Sequence, residues 1–481
     1  MLMLEPEKRT ELWRRVIDAV EAYAAGVPTL HPAPELDPAR PELDPARVRS
    51  LLEPFDFREP VDPLQAVDAV VDGLRRFQTH TPHPRYFGLF NPAPTTMGIA
   101  ADALVAAFNP QLAAWSHSPF AVEVEQHLVR AFGGQFGYEP LQTEGTFCSG
   151  GAEANHTALI TALTHALPEF VEQGVRALGA SPVLYVSAEG HHSVHKAARL
   201  SGLGTAAVRE IPVGEDLRLD LAALRSRIAR DRAEGLAPFL VVATAGATSS
   251  GVIDPIAPVA EVAARERLWL HVDAAWGGAA VLVPELRALL EGVERADSLT
   301  FDAHKWLSVP MGAGLYLTRH PGILERTFGV GTAYMPLRPS TDLADPYLRS
   351  MQWSRRFIGL KLFLSLAVAG WEGYAAALRH QVAMGDRLRR GLVTSGWELV
   401  NDTPLPVVCF VDGTHPRGAA AESLEAIAGA VVSSGRAWIS MTRVGRARPV
   451  LRACVTNYRT GPDDVDALVE ALDQARQRAQ V

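Results

Sequence analysis

Apolar residues recur along this chain with two different periods. Near the N-terminus the period is helical: Leu12, Val16, Ile17, Val20 and Tyr23 share one side of a helix over residues 8–25. A second amphipathic helix is predicted over 64–78. Between them, residues 28–45 are rich in proline and are predicted to be extended. That connector carries a direct duplication, Glu35-Leu36-Asp37-Pro38-Ala39-Arg40 returning as Glu42-Leu43-Asp44-Pro45-Ala46-Arg47, which reads as a tolerated surface repeat. From 85 to 370 the pattern changes. Short apolar runs at 182–187, 239–244, 268–272, 298–301 and 314–318 alternate with helical stretches. This alternation predicts an α/β fold, a mostly parallel sheet covered on both faces. Residues 371–481 predict a long helix at 371–395, strands at 407–412 and 449–456, and helices at 421–433 and 462–477. The expected division is a helical arm over 1–84, a large α/β domain over 85–370 and a small α+β domain over 371–481. The arm has little core of its own and is expected to pack on another subunit.

A chain of 481 residues is too long for one small core and suggests two or three subdomains. Its 46 basic and 54 acidic residues give a net charge of −8 without long runs of either sign, so nucleic acid is not an expected partner. Cys148, Cys409 and Cys454 are far apart. They predict neither a disulfide framework nor a zinc site and fit a reducing compartment. The first residues turn charged too early for a signal peptide. No uncharged apolar stretch approaches the roughly 20 residues of a membrane span. A cytoplasmic location with no membrane partner is expected.

In open α/β sheets, ligands bind beyond the C-terminal ends of the strands. Two polar residues are expected there. Asp273 ends the run at 268–272, and Lys305 follows the run at 298–301, within Thr300-Phe301-Asp302-Ala303-His304-Lys305-Trp306. A lysine can form a Schiff base and an aspartate can hold a protonated pyridine nitrogen. Those are the two things a protein must supply to use pyridoxal phosphate. Asp273 could instead cap a turn, and Lys305 could reach solvent. Their joint position favours the chemical reading, because a buried lysine is costly unless it is used.

Ser149-Gly150-Gly151-Ala152-Glu153-Ala154-Asn155 leads into an apolar helical stretch. Small residues let the backbone approach a phosphate, and the helix N–H groups meet the anion. Taken alone, the run reads more readily as an ordinary glycine turn before a helix. His191, His192 and His195 follow the run at 182–187. An imidazole there can stack on a pyridine ring or deliver a proton. With no carboxylate–cysteine set nearby, no metal is expected, and at least one of the three belongs on the surface. Thr244, at the same sheet edge, either bonds the cofactor or simply ends its strand.

Together these stretches resemble the group II pyridoxal-phosphate-dependent decarboxylases, relatives of aromatic-amino-acid, glutamate and histidine decarboxylases. The resemblance runs from about Pro84 to the C-terminus. It is carried by His83-Pro84-Arg85-Tyr86-Phe87, the Ser-Gly-Gly-Ala-Glu-Ala run at 149–154 and the His-x-Ser-Val run at 191–194. It continues through Leu270-His271-Val272-Asp273-Ala274-Ala275, Ala303-His304-Lys305-Trp306, Ser354-Arg355-Arg356-Phe357 and Leu451-Arg452-Ala453-Cys454. It implies the type I aminotransferase-like fold, pyridoxal 5'-phosphate as cofactor, and a homodimer with sites at the interface. Lys305 would form the Schiff base, Asp273 would pair with the pyridine nitrogen and His191 would stack on the ring. Gly151, Ala152 and His304 would contact the phosphate, and Thr244 and Ala275 would lie beside the cofactor.

Three departures stand out. The family often has Asn two residues before its His-Lys pair, where this chain has Asp302. A carboxylate repels phosphate, so Asp302 is expected to point elsewhere. Many members carry a catalytic tyrosine on a loop ahead of the Arg-Arg-Phe match. The corresponding segment, 337–354, is compressed here and offers Tyr347, with Tyr334 as the other candidate. The pocket segment at 87–92 matches neither the aromatic-substrate nor the glutamate pattern.

The resemblance implies α-decarboxylation of an L-amino acid to an amine and carbon dioxide. Trp115, Phe90 and Trp276 either line an apolar substrate pocket or are core aromatics. The alternatives are an oxidative, aldehyde-forming decarboxylase, a decarboxylation-dependent transaminase, and a cofactor-binding regulator without turnover.

Overall fold

A computed structural model describes residues 2–34, 45–335, 340, 343–414, 420–445 and 447–479. Its centre is a seven-stranded sheet. The strands are β1 (Glu144–Cys148), β2 (Pro182–Ser187), β3 (Val208–Ile211), β4 (Ala237–Thr244), β5 (Trp269–Asp273), β6 (Ser298–Asp302) and β7 (Gly314–Thr318). Their order is β1-β7-β6-β5-β4-β2-β3. Only β7 pairs antiparallel, with β1 and with β6; the other pairings are parallel. The strands predicted as apolar runs are in place because helices cover both faces, so successive side chains are buried whichever way they point.

Register fixes the site. Thr244 of β4 pairs with Asp273 of β5, and Asp273 with Thr300 of β6. The helix Gly151–Ala166 packs on one face of these strands and starts at their C-terminal edge. Asp302, the last residue of β6, pairs with Gly314.

Four strands had no counterpart in the sequence reading. β1 (Glu-Gly-Thr-Phe-Cys) is buried throughout although it opens with a glutamate. Glu144 is accommodated by the Leu324 N–H at 3.3 Å and by Arg349 at 3.5 Å. β3 is a short edge strand with a half-exposed pattern. In the C-terminal region, β8 (Trp397–Leu399) and β10 (Ser440–Val444) flank β9 (Val407–Asp412) and β11 (Arg448–Cys454) in an antiparallel sheet of order β10-β11-β9-β8. The helix expected from 371 begins earlier, at Leu360, and breaks at Gly370 (φ 64°) before continuing to Thr394. Only glycine adopts that φ cheaply.

The N-terminal helices are Pro6–Gly26 and Pro63–Arg76, close to expectation. Asp62 caps the second by accepting from the Leu64 and Gln65 N–H groups. Residues 35–44 of the proline-rich connector lie outside the described residues. Of the connector's described residues, 27–29 form a short 3-10 turn, Leu30 is extended, and Pro45 opens the helix Pro45–Ser50. Neither long N-terminal helix buries a side chain within the chain, and Trp13, Ile17, Val70 and Leu74 are exposed.

Glu125 and Arg355 form a buried ion pair, and Arg355 also donates to the Phe147 carbonyl at 3.0 Å. The pair therefore ties the end of β1, just before the glycine run, to the segment 355–359. Arg355→Ala should destabilise the fold by about 3–5 kcal/mol, because it leaves a buried carboxylate without its partner. Urea unfolding measures this, and a loss below about 1 kcal/mol would show that the pair is not a restraint on β1.

Candidate active site

A cavity of about 380 Å³ opens at the C-terminal edge of the parallel strands. Every residue proposed from sequence to contact the cofactor lines it: Gly151 and Ala152, His191, Thr244, Asp273 and Ala275, and His304 with Lys305. A larger cavity of about 530 Å³ lies at the opposite edge, beside His165, Trp269 and Asp297. It holds none of these residues and lacks a lysine–aspartate pair, so the chemistry belongs to the first.

Lys305 sits on the turn after β6, where its N–H bonds back to the Asp302 carbonyl at 3.1 Å. Its Nζ lies 2.9 Å from Asp302 Oδ2. The same oxygen accepts the Gly151 N–H at 3.0 Å, and Oδ1 is buried without a donor. Asp302 therefore does not point elsewhere, as the sequence suggested. The ammonium of Lys305 and the positive end of the helix Gly151–Ala166 draw it into the cavity.

Asp273 accepts from Asn155 Nδ2 at 2.7 Å and from the Ala275 N–H at 3.2 Å. His191 Nδ1 accepts the Ser193 N–H at 3.2 Å. Burial, partly offset by the Asp273 charge, lowers the His191 pKa, so a neutral ring faces the cavity. His304 Nδ1 accepts the Ala313 N–H at 3.1 Å, and burial lowers its pKa too. His192 and His195 are outside the site: their rings contact each other, and His195 pairs with Glu210 at 3.0 Å. Among the described residues no histidine, cysteine and carboxylate group could hold a metal ion.

Pyridoxal phosphate fits these residues. Thr244 Oγ1 is buried in the cavity wall without a partner, which suits a hydroxyl waiting for a ligand. The N-cap residue of the helix Gly151–Ala166, Gly150, has no side chain to cap it, and the Gly151 N–H turns instead to Asp302 in the cavity wall. A Cβ on Gly151 would come within 2.8 Å of Asp302 Oδ2, so glycine keeps the backbone accessible.

Trp276 lines the cavity, with Phe90 stacked behind it at 4.4 Å and 15°. Trp115 does not line it; it bonds Glu123 and Asp345. Tyr347 is not in the cavity wall either. It lies on the turn Pro346–Leu348, with its N–H on the Ala113 carbonyl at 3.0 Å and its ring 4.9 Å from Trp353. Tyr334 is exposed on the other side of Trp353.

The pyridoxal-dependent decarboxylase conserved domain matches residues 45–412. The chain belongs to that family. This family member is 31% identical over 397 residues to an aromatic-L-amino-acid decarboxylase of Bacillus atrophaeus, covering 80% of each chain. It is 32% identical to an L-2,4-diaminobutyrate decarboxylase of Rhizobium meliloti, covering 78% of this chain and 74% of that one. The crystal structure of Oryza sativa TDC with PLP and tryptamine superposes with a TM-score of 0.91 at 26% identity, covering 99% of both chains. The fold is therefore the type I fold. The activity is that of a carboxy-lyase, decarboxylation of an L-amino acid, and the cofactor is pyridoxal phosphate.

Sequence reasoning missed Asn155, His271 and Thr300, which surround Asp273. The available signals were helical and strand spacing: Asn155 lies one turn after Gly151, and His271 shares a strand face with Asp273.

Burial, opposed by the Asp273 charge, holds the His271 pKa at about 4. An unfolded histidine titrates near 6.5, so the folded enzyme binds fewer protons between those values. Stability from His271 is thus present above about pH 6.5 and is lost as pH falls toward about 4, by up to about 3 kcal/mol. His83, also held at about 4 by burial, adds to this slope, while Asp254, raised to about 6 by burial, opposes it. Urea unfolding across this range should therefore show a flatter pH slope in His271→Gln than in the parent, and parallel slopes would contradict the buried neutral ring.

Proposed function

We propose that this decarboxylase acts on an L-amino acid with an aromatic or apolar side chain, with Lys305, Asp273 and His191 as its central residues. The observation that carries the reading is their convergence on one cavity whose wall includes Trp276 backed by Phe90. Pyridoxal phosphate, when bound, supplies an electron sink for the bond to the leaving carboxylate. Lys305 contributes the amine that ties the cofactor to the chain and gives way to the substrate amine. Asp273 keeps a proton on the ring nitrogen, because a carboxylate favours the charged ring in a partly dry site. His191, neutral and facing the cavity, would lie against the cofactor ring. Gly151, Ala152 and His304 would receive the phosphate, with Thr244 and Ala275 beside the ring. The aromatic wall would hold the substrate side chain and so set the direction of its α-carboxylate.

A second substrate class has a specific observation behind it. Arg452 is buried with Nε and Nη2 lacking partners, and its guanidinium lies 5.0 Å from the Phe90 ring centre. Arg452 is outside the cavity lining, yet a guanidinium against Phe90 would favour an acidic side chain, and cysteine sulfinic acid decarboxylases of human and mouse are 33% and 32% identical to this chain. The position of Tyr347 against Trp353, outside the cavity wall, also favours testing the aldehyde-forming outcome: an α-carbon that is not protonated after carbon dioxide leaves would be open to oxidation by molecular oxygen, giving aldehyde and ammonia with hydrogen peroxide as the reduced product.

A homodimer accounts for the N-terminal arm over 1–84, whose helices leave Trp13, Ile17, Val70 and Leu74 exposed. Monomers seldom leave such patches uncovered. The break at Gly370 supports the division between a large domain over 85–370 and a small one over 371–481. The three cysteines are free and buried, which supports the cytoplasm. No helix among the described residues is long and apolar enough to cross a membrane.

A carbon-dioxide release screen across the L-amino acids, with cofactor added, tests substrate choice. Release from aromatic or large apolar substrates is expected. Release from acidic ones alone, abolished in Arg452→Gln, would replace this reading with the second. Assay of amine against aldehyde and hydrogen peroxide separates the two outcomes.

In the same assay, Lys305→Ala should lose both turnover and the visible absorbance of lysine-bound cofactor. Asp273→Asn should keep cofactor while turnover falls by about 100-fold or more. Unchanged turnover in Asp273→Asn would remove the role given to that residue.

A further inference from the structure

We infer that Asn155 is a positioning residue for Asp273, held in a single orientation by a one-way chain of hydrogen-bond donors that starts at Trp269. The inference rests on the role proposed above for Asp273.

The direction of the chain follows from the chemistry of its members. The indole N–H of Trp269 can only donate, and it lies 2.8 Å from Ser298 Oγ. Ser298 Oγ therefore accepts there, and its contact with His271 Nδ1 at 2.9 Å takes its direction from the far end of the chain. The Asp273 carboxylate accepts from Asn155 Nδ2, which turns Asn155 Oδ1 toward His271 Nε2; a neutral His271 then carries its proton on Nε2 and accepts from Ser298 at Nδ1. That N–H meets Asn155 Oδ1 at 3.1 Å. Thr300 Oγ1 donates to the same oxygen at 2.7 Å. Two donors on one atom identify it as the amide oxygen. The amide nitrogen must then face the other way, toward Asp273 Oδ2 at 2.7 Å and Ser193 Oγ at 2.8 Å. All four hydrogen-bonding positions of the Asn155 amide are filled.

Asn155, His271, Ser298 and Thr300 are buried, so water does not compete for these bonds. Register supports the arrangement: His271 pairs with Ser298 and Asp273 with Thr300 on adjacent strands, which brings all four side chains under the first turns of the helix Gly151–Ala166. Burial keeps His271 neutral, as the donor direction requires. The consequence for Asp273 is one of aim. The fixed amide, 2.7 Å from Oδ2, prevents that carboxylate from turning away from the cavity. Other residues at position 155 that lack an N–H donor would leave it free to turn.

The test compares Asn155→Ala, Thr300→Val and Asp273→Asn, singly and with Asn155→Ala and Asp273→Asn combined. Asn155→Ala should lower kcat about ten-fold with KM within about two-fold, the pattern of a group that acts on the transition state. Titration of the cofactor-free protein by visible absorbance should show cofactor binding weakened about three-fold or more in the same variant, since a turned carboxylate pairs poorly with the ring. In the double variant, Asn155→Ala should add less than about two-fold to the loss seen in Asp273→Asn alone, because the two residues act as one unit. Thr300→Val removes a single donor to Asn155 and should lower kcat about three-fold, which keeps the idea testable if Asn155→Ala does not fold. Asn155→Ala and Thr300→Val with parental kcat and cofactor affinity, beside an impaired Asp273→Asn, would overturn the inference. So would losses that multiply in the double variant. A harmless Asp273→Asn would instead strike at the role of Asp273 itself.

Discussion

A carboxylate buried at the end of a central strand must find donors and be held in one direction, and much of the cavity wall answers to that demand. Asp273 is almost without solvent exposure. Its oxygens are met by the Ala275 N–H and by Asn155, and the neighbouring strands supply the groups that hold Asn155. The parallel sheet brings several chain ends to one edge. The helix Gly151–Ala166, starting at that edge, then provides both the positive end facing an anion and the side chain that restrains the carboxylate. Scaffold and cavity are difficult to separate here, because the same register between β4, β5 and β6 sets the packing of the core and the spacing of the side chains at its edge.

The strands that were legible in the sequence are those buried on both faces, where any alternation disappears and the chain reads as an apolar run. β1 escaped because it opens with Glu144, whose charge is met by Arg349 and the Leu324 N–H, contacts far away in sequence. β3, β8 and β10 are short and lie at sheet edges, where half the side chains face water and the pattern thins. The helix break at Gly370 was marked only by a glycine among good helix formers.

The site was legible where chemistry is announced by position. Lys305, Asp273 and Thr244 stand at strand ends, and Gly151 and Ala152 open a helix. It was not legible where a residue's meaning depends on partners from other elements. Asn155 reads as an ordinary polar residue in a first helical turn until Thr300, His271 and Asp273 surround it. Asp302 was misread for the same reason: the expectation considered repulsion from a phosphate but not attraction to Lys305 and to a helix terminus. Tyr347 was only the nearest tyrosine in a compressed segment, and its turn sets it against Trp353.

The pairing of Lys305 with Asp302 has a further consequence. The oxygen that meets Lys305 Nζ also accepts the Gly151 N–H. One carboxylate thus ties the turn after β6 to the start of the helix Gly151–Ala166, two segments far apart in sequence. A shorter or neutral side chain at 302 would loosen both at once, so the lysine and the helix terminus inherit their spacing from a single residue.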